Sequence, residues 1–182
     1  MSIFEFLSVS VAIVLAAAMG RLISATTYIL NVERRDWLHL GYCIASLLAI
    51  LLTWWLQWQM SNIESWHFTD FLLLMGSPIS IYLAVHVLVT ENPAAVVDWR
   101  THFERIHRWY FTALLAQAIM SMIRQLIVQS GGFMTNSLLP AVIISIFVVG
   151  IVSRSRKLHT AVLISWAVVM IFVVFQQPVI LS

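Results

Sequence analysis

One arginine stands apart from the other basic residues of this 182-residue chain. Arg124 lies inside an apolar run, roughly 24 Å along a helix from Arg108 at about 1.5 Å per residue. If that run crosses a bilayer, Arg124 falls in the outer quarter of the hydrocarbon. A charge within a span costs about 2.5–3.5 kcal/mol at the centre and less where it snorkels, so it requires a partner or a wet cavity. Gln117, Ser121 and Gln125 share an arc of about 100° with Arg124, giving this helix a polar face. Glu5, Asp70 and Glu64 are the carboxylates expected on the same side of the membrane. Asp70 is the preferred partner, because it aligns with Ser77 and Ala84 on the preceding helix. Two readings stand: a polar pathway or anion site between the third and fourth helices, or an interhelical ion pair with Arg124 snorkelling outward.

The histidines are the second set. His86 lies within an apolar run, His39, His107 and His159 begin such runs, and His67 and His102 fall in loops. Imidazoles at one membrane face can relay protons or ligate a metal or b-type haem. A haem held this way takes two His from different helices, which would pair His86 with His39, His107 or His159. No two His have the i,i+4 spacing that puts two ligands on one helical face, and His102 and His107 diverge by about 140°. Such residues are also ordinary at a membrane interface. His86 points away from Asp70 and Ser77 on a straight helix, although Gly76-Ser77-Pro78 is a place for a kink.

The elements positioning these residues follow from composition. Hydrophobic residues make up 61% of the chain and charged residues 10%, with a mean hydropathy of +0.93. A soluble domain carries about 25% charged residues, so lipid covers most of this surface. A net charge of +2 spread over several loops is no nucleic-acid patch. Cys43 has no partner cysteine. HExxH, GxSxG, P-loop and dinucleotide fingerprints are missing from the sequence, and no catalytic activity, metal or cofactor is expected.

A window of about 20 apolar residues finds six spans, near residues 3–24, 38–58, 68–90, 109–129, 138–153 and 158–175. The N-terminal run has no basic n-region and reads as a retained first span. Arg21, Arg34 and Arg35 mark the first connection, Arg100, Arg105 and Arg108 the third, and Arg154, Arg156 and Lys157 the fifth. The positive-inside rule puts these loops in the cytoplasm and both termini outside. Trp54, Trp55, Trp58 and Trp66 form an outer aromatic belt, and Trp37, Trp99, Trp109 and Tyr110 an inner one. Within the third connection, Asn92-Pro93 starts a predicted interfacial helix over 93–106, with Trp99, Phe103, Ile106 and Tyr110 on its apolar face; a solvated loop is the alternative. The words ERRDWLH, FERIHRW and RSRKLH are compatible with a repeat of helix pairs, although short basic turns at one membrane face converge on such words anyway. Small residues every four positions, Ala12/Ala16/Gly20/Ser24 and Gly41/Ala45/Ala49/Thr53, predict that the first helix packs on the second, with an oligomer interface as the other use.

The stretches FLSVSVAIVLAAAMGRLI, DWLHL, TWW, WHFTDFLLLMGSPISIYL and DWRTHFERIHRWYF resemble a widespread uncharacterised family of bacterial six-helix inner-membrane proteins, over about residues 1–130. That resemblance implies an inner-membrane location and six spans, and transfers no activity.

The expected protein is a single all-α membrane domain, a six-helix bundle without catalysis. It reads as an accessory or scaffolding component that meets the lipid bilayer and other membrane subunits or copies of itself, and no nucleic acid. The alternative is a small channel or transporter between the third and fourth helices; a haem b or metal protein comes third.

Overall fold

The computed structural model describes residues 3–58, 66–128 and 139–176, with the side chains of Ile3 and of residues 124–128 left out. The described residues form six α-helices and no strand: α1 (Ile3–Ile29), α2 (Trp37–Gln57), α3 (Phe68–Val89), α4 (Trp99–Val128), α5 (Leu139–Val152) and α6 (Arg156–Phe175). Four stretches are long and apolar enough to cross a membrane, Phe4–Ile29, Trp37–Gln57, Phe68–Ala95 and Arg156–Phe175, and α5 is a shorter apolar helix. Large apolar side chains such as Phe6, Ile13, Ile23, Leu72 and Ile164 lie on the outside. That surface suits lipid and marks a membrane protein.

Each helix buries one stripe. In α1 it is Phe4, Leu7, Val11, Leu15, Ala18, Leu22, Ala25 and Ile29, spaced by three or four residues. That rhythm keeps a single seam on the neighbouring helix. The seam faces chiefly α3, not α2. The neighbours around the bundle run α1, α3, α4, α5, α6, α2 and back to α1.

Three expectations change here. First, α1 does not use its small residues against α2: Ala16, Gly20 and Ser24 are exposed, and nothing lies within 4 Å of a Cβ built on Gly20. Small side chains permit close approach but do not attract it, whereas the Leu/Val/Ile seam contributes more buried area. The α2 stripe does face inward, with Gly41 against Leu163 of α6. Second, residues 93–106 are not a separate surface helix. Pro93–Ala95 makes a single 3-10 turn, and α4 then runs without interruption from Trp99. Third, Trp99 and Tyr110 are not part of an aromatic belt, because they and Phe103 are buried in the bundle. Their apolar face is the one the sequence pattern identifies; protein, rather than lipid, covers it.

Helix boundaries have local causes. Asp36 starts α2, its Oδ2 accepting the His39 backbone N–H at 3.0 Å, an N-cap. Asp98 does the same for α4, accepting from the Thr101 backbone at 3.0 Å and the Thr101 hydroxyl at 2.6 Å. Those bonds, led by the hydroxyl, hold the Asp98 carboxyl below its ordinary range. Helix α1 continues past the expected boundary at Ser24 to Ile29, since Ala25 and Ile29 still reach the core. Helix α3 stays helical through Pro78. It ends at Thr90, whose φ of 56° lies in the left-handed region, a strained setting for a β-branched residue.

A candidate site at the basic end of the bundle

The three basic connections meet at one end. Arg34 donates to the carbonyls of Ala94 at 3.0 Å and Val96 at 3.2 Å. The Trp99 indole donates to the Tyr28 carbonyl at 3.0 Å, and the Trp99 backbone N–H to Arg34 O at 3.2 Å. Arg21 reaches the strained Thr90, donating to its carbonyl at 3.0 Å. The fifth connection joins through an Arg156 to Asp36 ion pair. Asp36 is only 6% exposed, so a single carboxylate caps α2 and anchors the start of α6.

Under this clasp the histidines fall into two pairs. His39 and His102 both place Nε2 on the Leu88 carbonyl, at 3.0 and 3.1 Å. A carbonyl has two lone pairs, and both rings therefore donate through Nε2–H to one of the carbonyls left over at the α3 C-terminus. His39 is fully buried and stacks on Trp99, with ring centres 4.6 Å apart. Burial lowers the His102 pKa, against the opposing effect of its bond to Leu88.

The second pair is His107 of α4 and His159 of α6, with ring centres 4.9 Å apart. His107 Nδ1 donates to the Glu104 carbonyl at 2.9 Å. Its Nε2, like Nδ1 of His159, is buried without a hydrogen-bond partner. An unmet buried polar atom costs about 1–3 kcal/mol. Phe111 stacks on the His159 ring at 5.7 Å, and the Tyr42 hydroxyl donates to the His159 carbonyl at 2.7 Å. Ser46 and Tyr110 tie α2 to α4 through their hydroxyls at 2.8 Å. This aromatic layer fixes both imidazoles in place.

Above the pair opens a cavity of about 570 Å³, within the range of small-molecule sites. Arg100, Arg105, Arg108, Arg154 and Arg156 line it, together with His107, His159, Leu38, Phe103 and one carboxylate, Glu104. Glu104 pairs with Arg100 at 3.0 Å, and Arg156 is held by Asp36. Arg105, Arg108 and Arg154 are exposed.

His86 belongs to neither pair. Its Nε2 lies 3.8 Å from a Glu91 carboxylate oxygen, and its Nδ1 is buried without a partner. The pairings considered for haem, His86 with His39, His107 or His159, are not among those the fold makes. No group of three or more His, Cys, Asp or Glu converges as a metal-holding set among the described residues.

On the polar face between α3 and α4, the fold brings together Ser77, Gln117 and Ser121. The Gln117 amide donates to Ser121 at 3.2 Å and Ser77 at 3.4 Å, and the two hydroxyls are 3.4 Å apart. Asp70 caps α3, accepting the His67 backbone N–H at 2.9 Å with the His67 ring at 3.4 Å. Glu5 is exposed near the start of α1. The side chains of Arg124 and Gln125, and all of Glu64, lie outside the described residues.

Sequence reasoning passes over Asp36, Tyr42 and Ser46, and leaves His102 in a loop, yet these residues do much of the fastening. The Asp36-Trp37-Leu38-His39 order before an apolar run carries the signal of an N-cap; the hydroxyl and carbonyl partners carry none. No family model matches the chain, and comparison with curated proteins and with solved structures gives no match.

Proposed function

We propose that the chain is a six-span protein of a bacterial inner membrane, with the basic end in the cytoplasm and both termini periplasmic, acting without catalysis as an accessory or scaffolding component of a membrane complex. The carrying observation is the clasp: Arg34, Asp36, Trp99 and Arg156 fasten three separate connections into one face. Val97, next to the Arg34 acceptor Val96, is exposed at that face, and Trp109 is exposed on α4 beside the cavity residue Arg108. Such preorganisation lowers the ordering cost of docking a partner. In this reading the fourth and fifth spans lie within α4 and α5, the fourth beginning near Trp109. The distribution of arginines supports the orientation.

A photo-crosslinking residue at Trp109, in cells, is expected to give one discrete adduct, whereas the same probe at lipid-facing Ile13 gives none. Equal, diffuse labelling at both positions would count against docking. The orientation is checked separately with Val97→Cys, expected to react with a membrane-impermeant maleimide only in inverted vesicles.

The Ser77, Gln117 and Ser121 cluster favours a second reading, a narrow solute pathway between α3 and α4. Liposomes holding the purified protein decide it. Under the scaffold reading, proton and anion leak matches empty vesicles and is unmoved by Gln117→Leu or Arg124→Gln. A flux abolished by either substitution replaces the scaffold with a channel.

A further inference from the structure

We propose that the cavity between the first turns of α4 and the α5–α6 connection binds a phosphoryl anion, gripped by Arg105, Arg108 and Arg154 over a floor of His107 and His159. The site goes beyond the scaffold reading and does not rest on it.

The positive-inside rule accounts for arginines in these loops but not for their convergence. Five of them line one cavity with a single carboxylate. That carboxylate, Glu104, is engaged with Arg100, and Arg156 with Asp36. Three guanidiniums therefore face the cavity with no carboxylate partner among the described residues. Guanidiniums present paired N–H donors that match phosphoryl oxygens, and they do so better than a point-charge ammonium. The floor supplies an independent sign. His107 is 8% and His159 5% exposed, both line the cavity, and each keeps a ring nitrogen without a hydrogen-bond partner. The Glu104 carbonyl takes the Nδ1–H of His107, so its Nε2 is the bare one.

The cavity also sits at the start of α6. Its N-cap, Ser155, gives no side-chain hydrogen bond to the first turn, leaving backbone N–H groups at the positive end of a 20-residue helix. The arginines and the helix end favour negative charge in one place. A phosphate diester of a lipid headgroup and a free phosphate monoester share this chemistry.

Binding is measured on the full-length protein in neutral maltoside by calorimetry, with sodium phosphate in one arm and short-chain phosphatidylglycerol in the other, phosphatidylcholine serving as the zwitterionic control. Saturable binding of phosphatidylglycerol but not phosphate identifies a headgroup site; the reverse identifies a soluble phosphate ester. Either supports the proposal. Arg105→Gln and Arg154→Gln alter exposed residues and are expected to weaken binding about tenfold each, the value of one charge-assisted hydrogen bond. His107→Asn, which keeps a donor for the Glu104 carbonyl while deleting the bare nitrogen, is also expected to weaken it. Lys157→Gln removes an exposed cation outside the cavity and leaves binding unchanged. The proposal falls if neither ligand saturates, if Lys157→Gln weakens binding as much as Arg154→Gln does, or if the three cavity variants bind like the parent.

Discussion

Leu88 contributes a backbone oxygen to the basic end, and two imidazoles share it. That arrangement makes a pH prediction. Burial lowers the pKa of His102, which precedes the expected fourth span, with the cation of Arg105 acting in the same direction. The unfolded chain then takes up a proton before the folded one does. Stability is full above the ordinary imidazole value near 6.5 and falls as pH drops below it toward the lowered pKa. A detergent melting series from pH 8 to 5 checks this. His102→Gln retains an N–H for Leu88 and is expected to flatten the acid side of the curve; an unchanged slope would assign the loss to other groups. The histidines themselves are plain in the sequence. Their pairing is not, because the partner of His39 is a carbonyl, which every residue carries, and His102 reads as a loop residue until α4 is seen to begin at Trp99.

Three glycines measure how the elements pack. A Cβ on Gly150 of α5 would lie 2.7 Å from ring atoms of Phe111. That ring is wedged against Tyr42, Tyr110 and His159, so it has nowhere to move. Gly150→Ala is expected to cost about 1–3 kcal/mol, the usual penalty of overpacking. A Cβ on Gly41 meets the tip of Leu163 at 2.5 Å, a flexible end that can turn aside, and Gly41→Ala costs less. Gly20→Ala, with nothing within 4 Å, costs no packing and is expected to hold or slightly raise the melting temperature, since alanine suits a helix interior better than glycine. A ranking other than Gly150, Gly41, Gly20 by loss of melting temperature would contradict these packing distances. The apolar window finds where the helices lie, and their ends differ modestly, most at the end of α1, except at α4, where charged residues hide a helical start. It does not reveal which helices are neighbours, since the small stripes of α1 and α2 look equally suited to packing and only one is used.

At the scale of the whole molecule, the ring order α1, α3, α4, α5, α6, α2 keeps most sequence neighbours side by side but parts α2 from α3, seating α3 between α1 and α4 and joining α2 to α6. Helix α2 is the extreme case. Its cap, Asp36, is neutralised by Arg156, and Tyr42 in its second turn bonds to His159. Both partners are about 120 residues away, on α6. During synthesis α2 therefore enters the membrane long before the groups that complete it exist. Until then a carboxylate destined for burial stays hydrated at the interface, and a buried charge left unpaired is strongly destabilising. The last helix pair thus acts as a closing latch, and its arrival separates a finished molecule from an unfinished one. A chain stopped at residue 138 is expected to insert but to be degraded faster than the full chain in a pulse-chase. Supplying residues 139–182 as a separate polypeptide is expected to restore its lifetime, and to do so less well when Arg156 is replaced by Gln.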